Sequence, residues 1–114
     1  MTDEVGHGDR PLRMQLSTDG QHAEAVIAVG GHLDLEGAPA LVDLARSALE
    51  DQPQELVISI ADATFVDSGG LRAILEIKDV SERRGTAFAL RDVPPRISRL
   101  LEMTGLSHLV DDSP

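Results

Sequence analysis

Along "LRMQLS" (12–17), Leu12, Met14 and Leu16 alternate with Arg13, Gln15 and Ser17. A period of two predicts a strand with one face buried and the other in water. A turn centred on Asp19-Gly20 follows, and "EAVIAVG" (24–30) is more evenly apolar, which places it deeper in a sheet. The two segments predict an antiparallel hairpin. "GGHLDLEGAP" then breaks the alternation, and Pro39 suits the first turn of a helix, where its missing N–H has no partner to lose. From there Leu41, Leu44, Ala45, Ala48 and Leu49 recur at helical spacing, with Asp43, Arg46 and Glu50 turned elsewhere, until "DQP" ends the run.

"ELVISI" (55–60) is short and nearly continuously apolar, the pattern of a strand covered on both faces. Beyond "ADATFVDSGG" a second helix is predicted from about Gly69 to Arg84, with Ala73, Ile74, Ile77 and Val80 as its buried stripe. Arg72, Glu76, Asp79 and Arg83 line its wet face, and their spacing pairs Arg72 with Glu76 and Asp79 with Arg83, each pair adding a few tenths of a kcal/mol. Arg83 and Arg84 fall at the helix end, where cations suit the dipole, and Gly85 terminates it. "TAFALR" (86–91) reads as a strand. "PPRISRLLEMTG" reads as a third helix with Ile97, Leu100 and Leu101 inward, Gly105 as its end and Leu106 as the apolar contact such an ending favours. "HLV" (108–110) reads as a last short strand.

Strand–strand–helix–strand–helix–strand–helix predicts an α/β fold, a mixed β-sheet of four to five strands with helices packed on it. Residues 1–11 are expected to form a flexible arm and residues 12–114 a single domain, since 114 residues support one core. The composition narrows the function. Phe65 and Phe88 are the only aromatic residues, so the core is aliphatic and no stacking platform for bases or sugars is available. The net charge of −10 opposes nucleic acid and anionic lipid. Residues 1–61 hold 11 acids and 3 bases, whereas residues 62–114 hold 9 and 7, so the N-terminal half suits a partner carrying basic residues. There is no cysteine, no apolar run near the roughly 18 residues of a membrane span, and no leader-like N-terminus in "MTDEVGHGDR". These features point to a small cytoplasmic domain.

The segment with chemical interest is "TFVDSGGL" (64–71), where a serine stands between an acid and two glycines. A catalytic serine needs a histidine base, an acid to orient it and an oxyanion hole. His7, His22, His32 and His108 fall in the arm, after a turn and at element ends. The strand–serine–helix elbow of hydrolases requires G-x-S-x-G, and residue 66 is Val. A helix cap is a second reading, because Asp67 or Ser68 can accept from the free N–H groups of the helix start, worth ~1 kcal/mol. Capping alone does not call for Gly69 and Gly70, which uncover the hydroxyl and admit close approach by another backbone. A third reading is a phosphoacceptor. A helix N-terminus accommodates an anion, while about two added negative charges beside Asp67 would repel a docked partner. Asp62 reads as structural, accepting backbone donors in the strand-to-helix loop, and Asp34 reads as a cap or loop acid. No cluster has metal-ligand spacing, and no loop fits a phosphate-cradling G-x-x-x-x-G-K-[ST].

"VISIADATFVDSGGLRAIL" resembles the central motif of STAS domains, specifically the stand-alone bacterial anti-sigma factor antagonists, with Asp62, Phe65, Asp67, Ser68, Gly70 and Leu71 matching by position. "GGHLDLEGAPAL" is similar to that family's Gly-x-Leu-Asp loop at Gly31, Leu33 and Asp34. "VPPRISRLLEMTGL" resembles its third-helix segment at Thr104, Gly105 and Leu106, so the likeness runs from about Leu12 to Val110. The resemblance implies a non-enzymatic switch. The unphosphorylated protein would bind an anti-sigma factor that is also a serine kinase, freeing the sigma factor. Phosphorylation at Ser68 would end the binding, and a metal-dependent serine phosphatase would reverse it. It further implies that Asp67 lies beside the acceptor hydroxyl and orients it, and that Asp34, Asp67, Ser68, Gly69 and Gly70 form the partner-binding surface. ATP belongs to the kinase, so no cofactor is expected on this chain, nor direct contact with nucleic acid or membrane. Two features depart from the family pattern. Gly69 stands where a second Ser or Thr is usual, and the chain stops at "LVDDSP" where many members continue into a final helix. The alternatives are a STAS-like scaffold or accessory module that binds a protein partner without being phosphorylated, and a receiver domain with Asp67 as acceptor. The receiver lacks the paired acids after the first parallel strand and a suitably placed Lys.

Overall fold

The computed structural model describes residues 11–19 and 23–110. The expected N-terminal arm but for Pro11, Gly20 of the first turn, His7, His22 and the chain end after Val110 lie outside the described residues. Strands β1 (Arg13–Thr18), β2 (Glu24–Leu33), β3 (Glu55–Val66) and β4 (Ala87–Arg91) form one sheet in the order β1-β2-β3-β4. β1 runs antiparallel to β2, with Met14 opposite Val29 and Leu16 opposite Ile27, so the alternating apolar residues of the sequence share one face. β3 pairs with β2, and β4 with β3, in parallel. Parallel neighbours need crossover connections, and helices α1 (Ala38–Leu49) and α2 (Ser68–Arg83) supply them. Helix α3 (Pro95–Met103) follows β4. The sheet is mixed and the fold is α/β, as the element order predicts.

Two strands outrun their apolar pattern. β2 continues to Leu33 and β3 to Val66, so "ADATFV" is paired sheet rather than loop, with Asp62 opposite Gly30 and Phe65 opposite His32. Register shifts between Ala28 and Gly30 and between Gly31 and His32 interrupt the two-residue period there, which removes the pattern while the backbone ladder persists. The expected final strand is corrected too. Ser107–Leu109 is a 3₁₀ turn that buries Leu109, and only Val110 bridges to Leu90. The Val110 N–H is turned back to the Ser107 carbonyl at 3.1 Å, which keeps these residues from extending along β4.

The core is aliphatic. Ile27, Leu33, Leu56, Ile58 and Ile60 from the sheet meet Leu41 and Leu49 of α1, Ile74 and Ile77 of α2, and Ile97 and Leu101 of α3. Val57 points to the opposite face of β3 and is also fully buried. Along that face Arg91 pairs with Glu24 at 3.6 Å and Glu55 at 3.9 Å. Both predicted glycine endings form: the Thr86 N–H reaches the Ser81 carbonyl at 2.9 Å, and the Leu106 N–H reaches the Leu101 carbonyl at 2.7 Å, each bond spanning a glycine at positive φ. On the wet face of α2, Asp79 pairs with Arg83 as expected. Glu76 does not pair with Arg72; it meets Arg46 of α1 at 3.5 Å. The neighbouring helix, invisible to a one-helix spacing rule, offers the nearer cation.

Candidate functional site

Leu33 and Val66 end β2 and β3 side by side in register. Both connections therefore leave the same end of the sheet, and each must turn at once into a helix whose first N–H groups lack partners. Each does so with an aspartate. The Asp34 carbonyl accepts the Ala38 N–H at 2.8 Å, and its Oδ1 accepts the Gly37 N–H at 2.9 Å. The Asp67 carbonyl accepts the Leu71 N–H at 2.9 Å, and its Oδ1 accepts the Gly70 N–H at 2.9 Å. Asp-Leu-Glu-Gly (34–37) and Asp-Ser-Gly-Gly (67–70) thus share a bonding pattern, but Asp67 is itself the N-cap of α2, whereas three turn residues separate Asp34 from α1, whose N-cap is Gly37.

Asp67 does more than its counterpart. Its Oδ2 accepts the Leu35 N–H at 3.3 Å, and its own N–H donates to the Leu33 carbonyl at 3.2 Å. One residue thus caps α2 and fastens the β2–α1 turn. Both carboxylate oxygens face amides, and none bonds the Ser68 hydroxyl; the orienting role expected of Asp67 falls on the loop instead.

The glycines explain how the turns come so close. A Cβ on Gly70 would stand 2.2 Å from the Leu33 carbonyl oxygen, and one on Gly69 would stand 2.6 Å from the Leu35 Cα. Contacts this short to backbone cannot be relieved by a rotamer change. The backbone approach expected of Gly69 and Gly70 is therefore made by Leu33–Leu35 of this same chain. It also accounts for the missing second Ser or Thr: position 69 has no room for a side chain.

Ser68 is the first residue of α2, is exposed, and makes no side-chain hydrogen bond among the described residues. Asp34 is half-buried beside exposed Leu35 and Glu36. The structure thus brings Asp34, Asp67, Ser68, Gly69 and Gly70 to one end of the sheet. Asp62 is placed differently from expectation: it lies within β3, exposed, and caps no loop among the described residues, because the strand that was to end before it continues past it. Phe65 is 47% exposed, its ring 5.3 Å from that of half-buried His32, and His108 is exposed on the 3₁₀ turn. Neither histidine bonds Ser68, so the described residues provide no relay to activate it. Among them no group of three or more His, Cys, Asp or Glu could hold a metal, and no helix is long and apolar enough to cross a membrane.

Leu35 is the surface residue that periodicity misses. It is 72% exposed, yet its backbone is pinned over Gly69 by Asp67. The available signal was the repeated Asp-x-x-Gly spacing at 34–37 and 67–70.

A protein-family model described as "Mlab, STAS domain" matches residues 16–111. The anti-sigma F factor antagonist of Paenibacillus polymyxa is 27% identical over 100 residues, covering 83% of this chain and 82% of that protein. The anti-sigma-B factor antagonist of Staphylococcus aureus (strain NCTC 8325 / PS 47) is 24% identical over 99 residues, covering 87% and 92%. Among solved structures, the unphosphorylated anti-sigma factor antagonist SpoIIAA shares the fold with a TM-score of 0.76 at 18% identity, over 90% of this chain and 89% of that one. An anti-sigma factor antagonist from Mycobacterium paratuberculosis gives 0.77 at 24% identity, over 93% and 87%.

Proposed function

This chain belongs to the STAS-domain family, and from that premise we propose that it is an anti-sigma factor antagonist switched off by phosphorylation of Ser68. Unphosphorylated, it binds an anti-sigma factor that is also a serine kinase, and so frees the sigma factor. The kinase transfers the γ-phosphoryl group of its ATP to the Ser68 Oγ, the hydroxyl proton leaves, ADP stays with the kinase, and the complex separates. A serine phosphatase hydrolyses the ester and restores the binding form. The relatives named as antagonists support this reading.

The observation that carries it is the state of Ser68, exposed and unbonded on the first residue of α2. A phosphate there meets the positive end of the helix and leaves the core untouched. It adds about 1.5–2 negative charges to a surface already holding Asp34, Glu36 and Asp67. A partner seated on Asp34, Leu35, Asp67, Ser68 and the partly exposed Gly69 then faces like charge and the desolvation of a dianion; Gly70, buried against the Leu33 carbonyl, supports that surface from beneath.

Ser68→Ala should fold and hold the kinase partner persistently; a lysate pull-down with this form, analysed by mass spectrometry, identifies that partner. Ser68→Asp should weaken the same binding by at least ~1 kcal/mol. An unchanged dissociation constant would count against charge as the lever. A module that binds its partner without modification is the second reading; Gly69, where the usual second Ser or Thr is sterically barred, bears on kinase preference and leaves the acceptor Ser68 in place. Intact mass after incubation with the captured kinase and ATP separates the two: one added phosphate supports the switch, and none supports the unmodified module.

A further inference from the structure

We infer that Arg72 receives the phosphate placed on Ser68, closing a clamp within α2 that withdraws a cation from the docking surface as it adds an anion. The inference rests on the reading of Ser68 as the phosphoacceptor. Ser68 and Arg72 are four residues apart in α2, so their side chains lie one turn apart on one strip of the helix. An anion N-terminal to a cation at this spacing is the favourable order.

Arg72 is free to serve. It is exposed, and among the described residues it makes no ion pair and no hydrogen bond. Its partner by spacing, Glu76, is occupied by Arg46. No other Lys or Arg falls within a turn of Ser68 along α2. The guanidinium fork matches the geometry of a phosphate, which it can bind through two parallel N–H···O bonds. The nearby carboxylate of Asp67 does not compete for it, because both its oxygens face amides.

In the unmodified chain Arg72 lines the groove between α1 and α2 with Leu35, Gly69 and Glu76, contiguous with the docking surface. Folding back onto phosphoserine takes it out of reach of a partner's acidic or carbonyl groups. Modification then acts twice on the interface, through an anion gained and a donor lost.

The test needs no kinase. Phosphoserine is incorporated at position 68 during translation, and the second ionisation of the phosphate is followed by ³¹P NMR in the otherwise unchanged chain, in Arg72→Gln and in Arg84→Gln. A nearby cation favours the dianion and lowers the midpoint, so its removal raises it. Arg72→Gln should raise the midpoint by roughly 0.3 pH unit, the size of an exposed i,i+4 pair, and the difference should shrink in 1 M salt. Arg84→Gln, at the far end of α2, should leave the midpoint where it is. Equal midpoints with and without Arg72 would overturn the clamp, as would an equal rise in Arg84→Gln, which would assign the effect to net charge. Since the phosphate is built in, the outcome is independent of whether a kinase modifies Ser68, which the intact-mass experiment decides separately.

Discussion

The turns at Asp34 and Asp67 make the same two hydrogen bonds at nearly the same lengths, and yet they differ in what they tolerate. In the first, the carboxylate serves only its own turn among the described residues, and a Cβ on Gly37 would meet the end of the Leu12 side chain at 2.9 Å. In the second, the carboxylate also holds the neighbouring turn, and a Cβ on Gly70 would meet a backbone oxygen at 2.2 Å. The first turn yields by moving a methyl group, whereas the second can yield only by moving a strand. Each displays its second residue, Leu35 in one and Ser68 in the other. The tight turn therefore fixes the loose one, and an apolar side chain is held next to the serine that the proposed switch modifies.

The two turns should part most widely at their glycines. Gly70→Ala should destabilise the fold by about 3 kcal/mol or more in urea titration, and Gly37→Ala by under about 1 kcal/mol. Equal losses would show that the turns are packed alike after all. The caps come next. Asp67→Ala should cost about 2 kcal/mol and Asp34→Ala about 1 kcal/mol, because the first orphans two amides and the second one. Leu35→Ser and Ser68→Ala remove exposed groups and should each change stability by less than about 0.5 kcal/mol. With the partner captured by Ser68→Ala, Leu35→Ser should nonetheless lose binding in calorimetric titration; retained binding would remove Leu35 from the docking surface. Smallest is Arg46→Gln, which breaks a half-exposed ion pair to Glu76 and should shift the unfolding midpoint by the equivalent of under about 0.5 kcal/mol.

Most of the architecture was legible because its signals are local. The 3.6-residue stripes of Leu41–Leu49 and Ala73–Val80, the alternation of Leu12–Leu16, and Gly85 and Gly105 each act within one or two turns of chain, and the structure keeps all of them. The reading failed where partners lie far apart in sequence. "ADATFV" is strand because β2 stands beside it, and its own residues carry no clear period. "HLV" has the composition of a strand, but Leu109 is drawn into the core and the chain turns. Glu76 found Arg46 rather than Arg72 across a gap of 30 residues. At the site, Ser68 at the head of α2 and the need for two glycines were readable, whereas the second task of Asp67 and the display of Leu35 depend on a contact between residues 32 apart.

Propensity, periodicity and capping act over a few residues, so the order and type of most elements, the aliphatic core, the acidic charge and the serine at a helix start all follow from the amino-acid sequence. Only folding settled which backbone fills the space left by Gly69 and Gly70, which amides the Asp67 carboxylate holds, and which cation near Ser68 is unpaired among the described residues. Those outcomes depend on the distance between chain segments, and only the paired ends of β2 and β3 set that distance.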